Sequence, residues 1–313
     1  MAPSGRRALE RLFLTLCNLV PRRLASHALF LLRHKPDMTD GWGYHIRPIH
    51  YYEPLPDFRE ISAEQLRRRR IPQGINFDLR GQVGRVRSLQ DRFGAEIRQL
   101  AGEVNEPYFG NPFFGGLDAA LYYAIIRDCK PARIFEIGGG YSTRIAARAS
   151  SMNALEGRGS AITVIEPYPE PRLTDAGIAI NLVRERVEKL DRAMFGELER
   201  KDILFIDSSH VVRCGGDVVT EVLEILPSLK PGVWVHIHDV FFPFDYPVDW
   251  IIGQRLAFNE QYLVEAFLAF NDRFAIEFSN SWLAADFREE VAGLVPTPGD
   301  AGRPASLWLS TRH

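Results

Sequence analysis

Ile134-Phe135-Glu136-Ile137-Gly138-Gly139-Gly140-Tyr141-Ser142-Thr143-Arg144-Ile145-Ala146 begins as an apolar run and ends as a helical one, with three glycines at the turn. Glycines at such a turn permit positive φ and let a ligand approach the backbone. The helix that follows offers unpaired N–H groups at its start, and Ser142 or Thr143 can cap it. A dinucleotide fingerprint would require glycine at 143, where threonine stands, so that fingerprint is incomplete. A carboxylate at Glu136 would repel a diphosphate and attract an amino group. The loop therefore favours a ligand bearing a cation.

Outward from this loop, short apolar runs alternate with helical stretches. The runs are Arg133–Ile137, Ile162–Ile165, Ala179–Val183, Ile203–Ile206 and Val233–Ile237. Spacings of roughly 20 to 35 residues are those of βα units, which predicts a parallel sheet. Two closely spaced runs, Phe274–Phe278 and Ser306–Leu309, predict a terminal antiparallel pair. The expected fold class is α/β, a doubly wound Rossmann-like sheet of five parallel strands plus that pair. Glu166 ends the second run, twenty-six residues after Gly140, where an acid can accept both hydrogens of a ribose diol. NAD and S-adenosylmethionine both carry ribose. Glu136 and the missing third glycine point to the sulfonium compound.

On these residues the chain resembles the class I S-adenosylmethionine-dependent methyltransferases. The resemblance covers about two thirds of the sequence. It implies that Glu136, Gly138, Gly140 and Ser142 hold the methionine part of the cofactor and Glu166 the ribose. It also implies a polar adenine contact after the third strand, for which Glu188 is the candidate. The expected activity is methyl transfer to a small polar acceptor, in particular a hydroxyl.

Asp202–His210 reads as the fourth strand running into a loop, and Val233–Asp239 as the fifth. Loops at the carboxyl ends of neighbouring strands meet around the crevice of a doubly wound sheet. Asp207 and His210 would then face His238 and Asp239. The spacing is similar to that of metal-dependent O-methyltransferases of the catechol and macrocin types, in the group that includes cephalosporin-hydroxylase-like proteins. That likeness implies a metal at Asp207, His238 and Asp239, either Mg2+ or Mn2+. Imidazole in an oxygen-ligand position would suit a softer ion such as iron. A cation would stabilise an alkoxide as it forms, and His210 is the candidate base beside Asp207. Many methyltransferases carry the first of these acids without any metal.

Aromatic stretches flank the predicted crevice: Tyr108, Phe109, Phe113 and Phe114 before the first strand, and Phe241 to Tyr246 with Trp250 after the fifth. Such walls suit a small organic acceptor, a sugar or natural-product hydroxyl by the same resemblance. They are also ordinary packing. Arg255, Asn259 and Glu260 open a helix that can line the same place.

The 313 residues allow one large domain and a smaller attachment, expected as a helical or irregular extension over 1–104 and the methyltransferase domain over 105–313. A net charge of -2 gives no general pull toward nucleic acid. Three distant cysteines make no metal or disulfide framework and fit a reducing, cytoplasmic setting. No apolar run is long enough to span a membrane. The short apolar stretch Leu12–Val20, preceded by Glu10, is a poor signal peptide; an amphipathic helix that touches a membrane surface remains open. Two other readings use the same residues: an iron-dependent oxidoreductase or hydroxylase, and a non-catalytic cofactor-binding module.

Overall fold

The computed structural model describes residues 15, 19–103, 108–174, 177–295 and 303–312. Most of the Leu12–Val20 stretch and part of the loop that opens at Asn105 lie outside them. Seven strands form one sheet: β1 (Arg133–Ile137), β2 (Ala161–Ile165), β3 (Asn181–Val183), β4 (Ile203–Ile206), β5 (Trp234–Ile237), β6 (Phe274–Ser279) and β7 (Leu307–Thr311). The order is β3-β2-β1-β4-β5-β7-β6. The first five strands run parallel, β7 lies antiparallel to β5, and β6 closes the edge against β7. This is the expected five parallel strands and antiparallel pair; β3 is two residues shorter than its apolar run and β5 one residue shorter. Chain order reverses between β1 and β4, which opens a crevice beyond their carboxyl ends.

Side chains of a strand alternate between faces, and here both faces are covered. Ile134, Ile162, Val164, Ile203 and Phe205 pack against helices Leu79–Ala101, Gly116–Cys129 and Tyr141–Ala154. Phe135, Ile137, Leu204, Ile206, Val235 and Ile237 pack on the opposite face against Val218, Val222, Ile225 and Val264. Each such aliphatic or aromatic side chain contributes about 1.5–3 kcal/mol when fully buried. The Gly116–Cys129 helix is buried along nearly its whole length, as expected of a helix sandwiched between a sheet and a second helix.

The chain divides into two compact units, Met1–Glu60 and Ile61–His313. The sequence reading instead groups residues 1–104. The Leu79–Ala101 helix explains the difference. Val83, Val86, Leu89, Phe93, Ile97 and Leu100 form its apolar stripe, and all join the core built on the sheet. The first unit contains the helices Arg22–Arg33 and Pro36–Gly41. Among the described residues no helix is long and apolar enough to cross a membrane.

Candidate functional site

The glycine loop leaves β1 and passes directly over the end of β4. Gly138 has φ +84°, and a Cβ there would stand 1.9 Å from the Asp207 carbonyl oxygen. No other residue fits this crossing. Gly138 N–H donates to Ile165 O (3.0 Å) and Asp207 N–H to Ile137 O (2.8 Å), which extends the ladder past the strand ends. Around the loop lie two cavities. One, about 330 Å3, is lined by Gly138, Glu166, Glu188, Asp207 and Asp217 among others. The other, about 200 Å3, is lined by Phe113, Phe114, Gly138 to Ser142, Glu166 and Asp207. They share Gly138, Glu166 and Asp207, and so adjoin.

Five of the six expected cofactor residues line these cavities: Gly138, Gly140, Ser142, Glu166 and Glu188. The Glu166 carboxylate accepts from Tyr168 N–H at 2.7 Å and from Gly139 N–H at 3.4 Å, which fixes it at the end of β2. Glu188 sits after β3 with Arg186 Nε at 3.3 Å. At Gly140 nothing stands within 4 Å of a built Cβ, so the backbone there faces open space.

Glu136 corrects the sequence reading. It is fully buried and lines neither cavity. Its carboxylate accepts from Tyr122 Oη (2.8 Å) and from Thr143 Oγ1. Thr143 Oγ1 in turn accepts from Gly140 N–H at 3.2 Å. Glu136 thus ties the end of β1 to the first turn of the following helix rather than meeting a ligand directly. Burial pushes its pKa up to about 7, against the pull of those hydrogen bonds.

A second cluster forms where β4 and β5 end. His210 is 7% exposed, with φ +59°. Its carbonyl accepts from Asn259 N–H (3.0 Å) and Glu260 N–H (3.2 Å), so the start of the Glu260–Leu268 helix holds it in that left-handed conformation. Its Nδ1 lies 2.8 Å from the buried Glu260 carboxylate, and its Nε2 3.3 Å from both Asp207 and Asp239. Burial opposes a charge on this ring, but the Asp207 and Glu260 hydrogen bonds prevail and raise its pKa well above the ordinary value. Burial also raises Asp207, yet His238 and His210 outweigh it and hold the carboxyl down at about 2. Asp207 belongs to this cluster and to both cavities, and so joins them.

The expected metal ligands arrive at one end of the sheet without surrounding a common point. The His210 ring nitrogen occupies the gap between Asp207 and Asp239. His238 Nε2 is 3.8 Å from Asp239 Oδ1. Among the described residues no group of three or more His, Cys, Asp or Glu side chains is arranged to hold an ion. His236, stacked on Phe205 and bonded to Ser306 Oγ at 2.7 Å, is a core residue. Burial and the neighbouring His238 keep it neutral.

Several contributors lay outside the sequence reading. Tyr122 braces Glu136 together with Thr143, which the sequence had marked only as a helix cap, while Glu221 accepts from Ser208 Oγ at 3.0 Å. Asp217 accepts from Ser209 N–H and Oγ. The spacing Asp217–Glu221 is one helical turn, the only sequence hint that both face the same loop. Of the aromatic stretches, Phe113 and Phe114 line the second cavity, with Phe113 stacked on Tyr141 at 5.9 Å. Phe241, Phe244 and Tyr246 line a separate cavity of about 890 Å3 that shares no lining residue with the other two.

Residues 135–240 match a protein family described as a methyltransferase domain. An uncharacterized protein of Archaeoglobus fulgidus is 28% identical over 171 residues, which is 50% of this chain and 75% of that protein. Among solved structures, the O-methyltransferase from Bacillus cereus in complex with SAH is 14% identical with a TM-score of 0.40, over 71% of this chain and 91% of that one. MycE methyltransferase from the mycinamycin biosynthetic pathway, in complex with Mg and SAH, is 16% identical with a TM-score of 0.37, over 69% of this chain and 54% of that one.

Proposed function

We propose that this chain, which carries a class I S-adenosylmethionine-dependent methyltransferase domain, methylates the hydroxyl of a small polar acceptor with His210 as base. The observation that carries the reading is the position of Asp207. It lines both cavities at the glycine loop and stands 3.3 Å from His210 Nε2.

The crevice suits the cofactor: open backbone at Gly140, an anchored carboxylate at Glu166 for a ribose diol, and Glu188 beyond it for the base. When bound there, S-adenosylmethionine supplies a methyl group on a sulfonium, open to attack by a nucleophile. The chain's own part is to hold and deprotonate the acceptor. The Glu260 carboxyl group, 2.8 Å from His210 Nδ1, orients the ring, and as a carboxylate it accepts a proton held on that nitrogen. When neutral, His210 can take the hydroxyl proton at Nε2 once the acceptor hydroxyl replaces one of the two carboxylates that face that nitrogen, as the acceptor oxygen bonds to the methyl carbon and the carbon–sulfur bond breaks to leave a neutral thioether. Phe113 and Tyr141, stacked beside the second cavity, offer it an apolar flank. Asp207, His238 and Asp239 do not fit a divalent ion in this arrangement, because the His210 ring stands between the two carboxylates. No step here is assigned to a metal.

The test incubates the protein with methyl-labelled S-adenosylmethionine and a panel of sugar and natural-product alcohols, read by mass spectrometry before and after exhaustive chelation. Label on a hydroxyl oxygen, unaffected by chelation, is the expected result. Label on nitrogen or carbon contradicts the acceptor class. Loss of labelling on chelation with recovery on added Mg2+ contradicts the metal-free base.

A further inference from the structure

The Arg22–Arg33 helix lies far in sequence from the transfer chemistry and has no buried residue. Leu24, Ala28, Leu31 and Leu32 recur at helical spacing and share one face. On that face Leu24 and Leu31 are each more than half exposed, and Leu32 is half-buried. Soluble domains seldom leave such a stripe uncovered. Arg22, Ser26 and Arg33 fall together on one polar flank, and Arg23, His27 and His34 on another. Between Glu10 and Asp37 the chain has no acidic residue, but has Arg11, Arg22, Arg23, Arg33 and Lys35. This local charge opposes the net charge of -2 of the whole sequence. The same compact unit exposes Trp42, Tyr44, Tyr51 and Tyr52, the residue types that favour a membrane–water interface.

We propose that the Arg22–Arg33 helix is a peripheral membrane anchor that lies in the surface of an anionic phospholipid bilayer. Its leucines would enter the acyl boundary, while its arginines meet lipid phosphates. Both halves are required: leucines alone would suit any apolar partner, whereas the acid-free run of arginines selects a negatively charged one. A basic amphipathic helix of this kind lies in the interface plane rather than across it. Each arginine near an anionic surface contributes roughly a fivefold gain in binding. The inference is independent of the methyl-transfer reading.

The test is flotation of the full-length protein with vesicles of phosphatidylglycerol and phosphatidylcholine in equal parts, against vesicles of phosphatidylcholine alone. The protein is expected to float with the anionic vesicles, to be released at high salt, and to stay behind with the neutral ones. Arg22→Glu/Arg23→Glu and Leu24→Ser/Leu31→Ser should each weaken flotation by roughly tenfold or more, with unchanged cofactor binding showing that the fold is intact. No flotation, equal flotation with both vesicle types, or flotation that survives the charge reversals would overturn the proposal. So would a dimer in light scattering that the leucine variant dissolves, since a second copy would then cover this face.

Discussion

Glu136 and His210 are both buried ionisable residues whose pKa values rise for different reasons: burial raises that of Glu136, whereas neighbouring carboxylates raise that of His210 against burial. For Glu136 no cation offsets the loss of water. Its pKa rises to about 7, above the 4.5 of a free glutamate. The folded protein therefore binds a proton more tightly than the unfolded chain. Folding is favoured at low pH and loses stability as pH climbs from about 4.5 to about 7. A shift of this size corresponds to about 3 kcal/mol by the upper end of that window. Glu136→Gln keeps the shape and removes the titration. We predict that, in urea titrations without cofactor, the variant loses less stability than the parent between pH 5 and pH 8. Parallel curves for the two proteins would refute this account of the residue.

His210 gains partners instead of losing water alone. Its pKa is raised, which favours the doubly protonated ring, and only its neutral form can accept another proton. If it is the base, kcat/KM must rise with pH, with a midpoint above the ordinary 6.5 of histidine. Glu260→Gln removes a carboxylate that favours the charged ring, and so should move that midpoint to lower pH. His210→Ala should abolish the limb and cost about 10²- to 10⁴-fold in rate. A midpoint that stays put in Glu260→Gln would separate the glutamate from the titrating group. Only part of this set of pairings was readable from sequence. Asp207 and His210 are three apart and visibly related, whereas Glu260 meets His210 across fifty residues. Similarly, the acid at 136 was visible, but the tyrosine that turns it inward stands on another helix.

At the scale of elements, the unit that matters is β1, the glycine loop and the Tyr141–Ala154 helix. This was the most legible part of the chain, because strand, turn and helix each leave a local mark: β-branched and aromatic residues, then glycines, then helical spacing. The loop's reason for glycine was only half legible. Positive φ at Gly138 could be anticipated, but its 1.9 Å conflict with Asp207 belongs to the neighbouring strand β4. Gly138→Ala meets both obstacles, and the obstructing atom is backbone that cannot swing aside. We predict a loss of about 2–4 kcal/mol in stability, measured by urea denaturation, together with at least a tenfold loss in cofactor affinity, measured by calorimetry. A variant that kept parental stability and affinity would mean that the loop does not make this crossing.

For the whole molecule, the parallel sheet and its antiparallel edge followed from run spacing, since each crossover helix needs a minimum length of chain. The unit boundary did not follow, because the Leu79–Ala101 helix has an ordinary amphipathic pattern that does not name its partner. The crevice itself is a product of topology: strand order reverses between β1 and β4, and the acids after β2 and β4 converge there. The methyltransferase reading rests on that convergence. The measurement that tests it most directly is calorimetric titration of S-adenosylmethionine into the parent protein and Glu166→Ala. The account predicts saturable binding to the parent, weakened by about 1–3 kcal/mol in the variant. Equal affinity in the two proteins, or no binding to the parent, would contradict it.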